Sequence, residues 1–80
     1  MYKIPEDTKE FYEENPEKLE QRIFLSIQLL EDYLKDHGRM DIAKPCFERW
    51  GKAWEVARSF WVFPDEKDMK KMVDEEYANL

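Results

Sequence analysis

The stretch RWGKAWEVARSFWVF, Arg49 to Phe63, places three tryptophans and two phenylalanines within fifteen residues of a chain otherwise dominated by charge. At about 100° per residue, Trp54 and Trp61 fall within about 40° of Trp50, with Phe47 beside them. Cys46, Ala53 and Ala57 make a strip of small residues next to that ridge, while Glu48, Lys52, Glu55 and Ser59 occupy the far side. This is the pattern of an amphipathic helix from Pro45 to Trp61 whose apolar face is wide enough to meet two neighbouring helices. A tryptophan stripe at helical spacing predicts core rather than a ligand cage.

Outward from that helix, the punctuation falls where helices start and stop. Asn15-Pro16-Glu17 offers an N-cap, a proline at the first helical position and an acid in the first turn, and Gly38 follows the last residues in phase. Over 16–37 the residues Leu19, Ile23, Ile27, Leu30, Tyr33, Leu34 and His37 share one arc, with Leu29 at its edge and Glu20, Gln28, Glu31 and Lys35 opposite. Pro64 closes the tryptophan helix, and Asp65 with Asp68 predicts a capping box opening a helix over 66–79 striped by Met69, Met72, Val73, Tyr77 and Leu80. Thr8 is placed to cap a short helical segment through Glu14, docked by Phe11 or Tyr12. No strand alternation is visible. The expected fold is all-α: one domain over residues 1–80, a small bundle of three principal helices (16–37, 45–61, 66–79) with a short N-terminal helical segment. Such a bundle closes alone or is completed as a four-helix-like bundle by a second copy.

Composition narrows the class. A chain of 80 residues buries only about 60% of its unfolded surface, so little stability is in reserve. The single cysteine, Cys46, permits neither an intrachain disulfide nor a cysteine cluster for zinc, which fits a reduced compartment. The start, MYKIPEDTKE, lacks the pattern of a signal peptide, and the longest apolar run, Phe60 to Phe63, is too short to span a bilayer. The expected location is cytoplasmic. The net charge of −6 is carried at the two ends, residues 1–20 holding −4 and residues 61–80 holding −3, around a near-neutral middle. That balance repels nucleic-acid phosphate and anionic membrane and favours a basic protein partner.

The inventory for catalysis is thin: one histidine, one cysteine, two serines and one threonine. His37 sits on the core arc at a helix C-terminus, where its structural use is to complement the dipole. Cys46 reads as a buried thiol. Glu13-Glu14, Glu31-Asp32 and Glu75-Glu76 are adjacent on helices and so point about 100° apart. Asp36, His37 and Asp41 bracket Gly38 without metal-ligand spacing. Glu76 intrudes into an apolar stripe and must either find a partner such as Arg49 or Arg58 or reach solvent at the edge of the stripe. No enzyme, cofactor or metal site is expected.

Leu30 to Trp61, LEDYLKDHGRMDIAKPCFERWGKAWEVARSFW, resembles the opening of helix-turn-helix and winged-helix DNA-binding domains. The matching features are a helix ending in Leu34 and Gly38, a second opening at Ile42-Ala43, a glycine at Gly51 and a third helix carrying Lys52 and Arg58. The resemblance implies a DNA-binding regulator with residues 42–50 and 52–61 as the helix pair and residues 52–61 in the major groove. The apolar phase also runs straight through Gly51, as one continuous helix would require.

Phe24 and Leu25 lie outside the apolar arc of 16–37, among Gln21, Gln28 and Glu31, where a solvated face would be polar. These five residues are the candidate partner-binding site. What covers them is either the N-terminal segment, through Phe11 or Tyr12 on Phe24, a second copy of the chain, or a foreign protein. The expected function is that of a small acidic protein-interaction factor, an inhibitor, regulator or accessory subunit, with a DNA-mimicking inhibitor as one form and the helix-turn-helix regulator as the alternative.

Overall fold

A computed structural model describes residues 2–80. The elements in order are β1 (Tyr2–Lys3), α1 (Glu6–Glu14), α2 (Pro16–Asp36), a 3-10 turn (Met40–Ile42), α3 (Ala43–Ser59), β2 (Val62–Phe63) and α4 (Glu66–Ala78). The fold is a small all-helical bundle in which α2, α3 and α4 are the principal helices, as their periodicity predicts. The two-residue strands, antiparallel with Tyr2 opposite Phe63 and Lys3 opposite Val62, are too short to leave an alternation in the sequence. They tie the chain's start to the α3–α4 connection and bring Ile4 into the core.

α3 organises the interior. Its buried residues are Cys46, Trp50, Trp54 and Ala57, and it runs unbroken through Gly51. Residues 42–50 and 52–61 are therefore not two helices, and the turn on which the helix-turn-helix resemblance depends is absent. The helix stops at Ser59, two residues short of the expected end, because Trp61 turns into the left-handed region at φ 55°. Its N–H returns to the Arg58 carbonyl at 3.2 Å and its own carbonyl accepts from Ile4 N–H at 3.1 Å. Glycine normally takes this place, and a bulky residue there costs on the order of 1 kcal/mol or more. The reversal sends Phe63 back into the core, its ring centroid 5.0 Å from Trp54 and 5.7 Å from Tyr12.

α2 lies antiparallel to α3, with Glu20 held by Arg58 at 2.7 Å near one end and Ser26 against Trp50 and Trp54 further along. The Ser26 hydroxyl, buried in the α2–α3 seam, accepts both indole N–H groups, at 3.1 Å from Trp50 and 3.0 Å from Trp54. Leu19, Leu30 and Leu34 are buried with it, while Ile23, Ile27 and Tyr33 are half-buried. His37 is exposed rather than on the core arc. Its Nδ1 lies 2.9 Å from the Tyr33 carbonyl and its ring 4.1 Å from the Tyr33 ring. The helix ends in a Schellman turn, with Arg39 N–H on Leu34 O, Gly38 N–H on Lys35 O, and Gly38 at φ 62°. Leu29, placed at the edge of the core arc by its phase, is exposed.

Other ends differ from expectation for local reasons. Asn15 does not cap α2 through its side chain, whose Nδ2 donates instead to the Phe11 carbonyl and closes α1. α1 starts at Glu6 after Pro5, so Thr8 lies inside it. α4 opens on the reciprocal capping box of Asp65 and Asp68, both bonds 3.0 Å. Met69, Met72 and Val73 are buried from it, but Tyr77 and Leu80 are exposed, and Arg39 stacks on the Tyr77 ring at 3.7 Å.

This packing makes the Trp54 and Ser26 side chains sensitive to truncation. Trp54→Ala should cost about 3–5 kcal/mol and unfold most of so small a chain. Ser26→Ala leaves two buried indole donors without an acceptor, at about 1–3 kcal/mol each, so urea unfolding should show a loss well beyond a methyl-for-hydroxyl exchange. The companion variant Trp54→Phe, combined with Ser26→Ala, should lose less than the sum of the two single changes; strict additivity would mean that the bond carries no coupling.

Candidate interaction surface

α2 turns its Leu19, Ser26, Leu30 and Leu34 side inward, and that choice fixes what it shows to solvent. Phe24 is 59% exposed, Leu25 54% and Leu29 58%. Gln21, Gln28 and Glu31 surround Phe24 on the same outer side, all exposed, and Glu31 is held by Lys35 at 3.0 Å. The five residues singled out by their phase thus share the outer side of one helix, with Leu25 about 100° around from Phe24. Leu29 joins them, although its phase does not predict it there.

The N-terminal segment does not cover this patch. Tyr12 is the residue that docks α1, against Phe63, and Phe11 packs edge-on to Tyr12 at 5.5 Å while remaining exposed. Among the described residues nothing lids Phe24. A second exposed pair, Val56 and Phe60, stands one turn apart at the end of α3. Sequence phase hides it because Phe60 adjoins the tryptophan ridge.

Beside the outer side of α2 runs a cleft of about 390 Å³, open to solvent, whose walls include Leu29, Tyr33, Trp50, Pro64 and Met69. Its charged margin is Arg22, Asp32, Asp36, Asp65 and Glu66. Ser26 reaches its floor, but that hydroxyl already accepts two indole bonds.

On the opposite side of α3, Arg49 bridges Glu75 and Glu76 of α4, which resolves the carboxylate in the α4 stripe as one arm of an ion-pair fork. The Arg49 guanidinium beside Glu75 holds its carboxyl below the usual carboxylate range, and the same contact raises Arg49. Burial pushes the Cys46 thiol above its ordinary range, the Glu76 charge adds to the shift, and Arg49 opposes it. Among the described residues no three His, Cys, Asp or Glu side chains are placed to hold a metal ion, and no helix is long and apolar enough to cross a membrane.

The raised thiol pKa and complete burial of Cys46 give a direct expectation. At pH 8 the native protein should react with iodoacetamide more slowly than the urea-unfolded chain by a factor on the order of 100 or more. Equal rates would place the thiol at the surface.

No family model, no curated protein and no solved structure matches this chain.

Proposed function

We propose that this chain is a small acidic protein-interaction factor, an inhibitor, regulator or accessory subunit that works by laying the outer side of α2 against a larger protein. The observation that carries the reading is Phe24: a large aromatic more than half exposed on the middle of the longest helix, uncovered by the described residues and rimmed by Gln21, Gln28 and Glu31. An aromatic anchor inside a polar rim is the usual make-up of a binding hot spot. Val56 and Phe60 differ in place, since Phe60 is the C-cap of α3 at the reversal of the chain and not part of the middle of a helix.

The net charge of −6 steers the choice of partner toward a basic surface. A DNA-mimicking form is less favoured, because Glu20, Glu31, Glu66, Glu75 and Glu76 are each held by a lysine or arginine. That pairing interrupts the rows of free carboxylates such mimicry needs.

The test is Phe24→Asp. The variant should fold with stability within about 0.5 kcal/mol of the wild type, as exposed sites do, and should lose the proteins that the wild-type chain captures as immobilised bait. A variant that melts many degrees lower, or one that captures the same proteins equally well, overturns the reading.

A further inference from the structure

Around α2 from Phe24 lies a second strip, formed by Lys18, Arg22, Leu25, Leu29, Asp32 and Asp36. Its steps are four, three, four, three and four residues, the spacing that keeps one seam of a helix facing a partner helix. At about 100° per residue the six fall within about 80° of one another. Leu25 and Leu29 are more than half exposed, Lys18, Asp32 and Asp36 are exposed and Arg22 is half-buried.

The charges of this strip are unspent. The ion pairs of α2 are Glu31 with Lys35 and Glu20 with Arg58, and among the described residues none of Lys18, Arg22, Asp32 and Asp36 is paired. Their order also runs against the helix's own field. Lys18 stands in the first turn and Asp36 is the last residue, where the macrodipole favours the opposite signs. Helix stability does not account for the arrangement.

The strip is neutral as a whole, basic in its N-terminal half, apolar at its centre and acidic in its C-terminal half. A uniformly basic partner would satisfy the aspartates and be repelled by Lys18 and Arg22. A copy of the same helix laid parallel would set like charge on like. Reversed, the same helix fits throughout: Lys18 meets Asp36, Arg22 meets Asp32 and Leu25 meets Leu29, all three pairs centred on position 27. We infer that the partner of this strip is a second copy of the chain, bound by antiparallel, two-fold pairing of α2 with α2, with four leucines at the centre and two ion pairs on either side. The inference rests on the reading of the outer side of α2 as a binding surface, but on residues other than Phe24. Each copy contributes two leucines, less than the roughly 1,200–2,000 Å² interfaces of tight complexes, so the dimer is weak and sensitive to salt.

Sedimentation equilibrium from micromolar to millimolar chain, at low salt and again at high salt, reads it directly. The wild type should dimerise at low salt and weaken as salt rises. Arg22→Asp and Asp32→Arg should each weaken self-association by about tenfold or more, since both symmetry-related pairs turn repulsive. Mixed together, the two variants should form a heterodimer of about wild-type affinity, because each supplies the charge the other lacks. The double variant R22D/D32R should dimerise again by itself. A wild type that stays monomeric to millimolar concentration overturns the inference, as do single variants that dimerise unchanged or a mixture that gains nothing. Phe24→Asp separates the two readings. If it abolishes capture of a larger protein while the wild type is monomeric, the function stands and the self-pairing falls. If the dimer answers to the charge exchanges while capture is indifferent to Phe24→Asp, the self-pairing stands and the function falls.

Discussion

One hydroxyl decides how this bundle is assembled. Two tryptophans one turn apart on α3 carry their N–H groups into the interior, and each would be left without a partner there at a cost of about 1–3 kcal/mol. Ser26 accepts both. Because a serine oxygen has two acceptor lone pairs, one small residue on α2 satisfies two large ones on α3. A shift of α2 by one turn along α3 would break both bonds together. In an 80-residue chain with net stability on the order of 5–15 kcal/mol, that loss is a substantial share of the whole.

The same bond determines the surface. With Ser26 pinned against Trp50 and Trp54, the rotation of α2 about its axis is fixed, and Leu30, Leu34 and Leu19 follow it inward. The outer side then has to carry Phe24 and Leu25 in water, and Leu29, about 60° around from Ser26, is left on the flank beside the cleft. Neither Phe24 nor Leu25 can reach the interior without taking Ser26 out of it. Exposure of these three residues is a consequence of how the core is satisfied, and the aromatic-rich helix at the centre of the sequence is indirectly responsible for the apolar side of its neighbour.

Much of this was legible in the sequence, and the failures have physical causes. Apolar period and proline placement are local signals, so the three principal helices, their all-α class and the Asp65–Asp68 capping box could be read directly. The exposed Phe24 and Leu25 were legible for the same reason, as breaks in phase. Ser26 was not, because hydropathy counts a serine as polar and only the three-dimensional meeting with two indoles makes it an interior residue. Once Ser26 belongs to the core, the centre of the buried arc is settled and Leu29 falls outside it. His37 fell to the surface because the Schellman turn had already satisfied the end of α2. Trp61 left its helix because the chain had to reverse to bring Phe63 home, a requirement set by Trp54 and Tyr12 rather than by its neighbours in sequence. The Asn15 cap failed by competition, the side chain closing α1 instead of opening α2. The two-residue strands are below the length at which alternation carries information.

The two strips on the outside of α2 bear on each other. Phe24 lies about 120° around the helix from the centre of the strip running from Lys18 to Asp36, far enough to stay clear of a helix seated on that strip. The two-fold axis of an antiparallel helix pair stands perpendicular to both helices, so whatever lies to one side of the first helix lies to the same side of the second. An antiparallel pair of these chains would therefore carry both Phe24 patches on one side, less than two turns apart along the helix axis, since Phe24 of one copy lies level with Leu30 of the other. A partner offering two copies of its own site would meet them together, and the second contact would form at the effective concentration set by the first. A weak dimer is then sufficient: a doubly engaged partner holds the two chains side by side, and each separate contact can remain modest. Partner binding and self-pairing through different residues of one helix would reinforce each other by linkage, with no change in the fold of either chain.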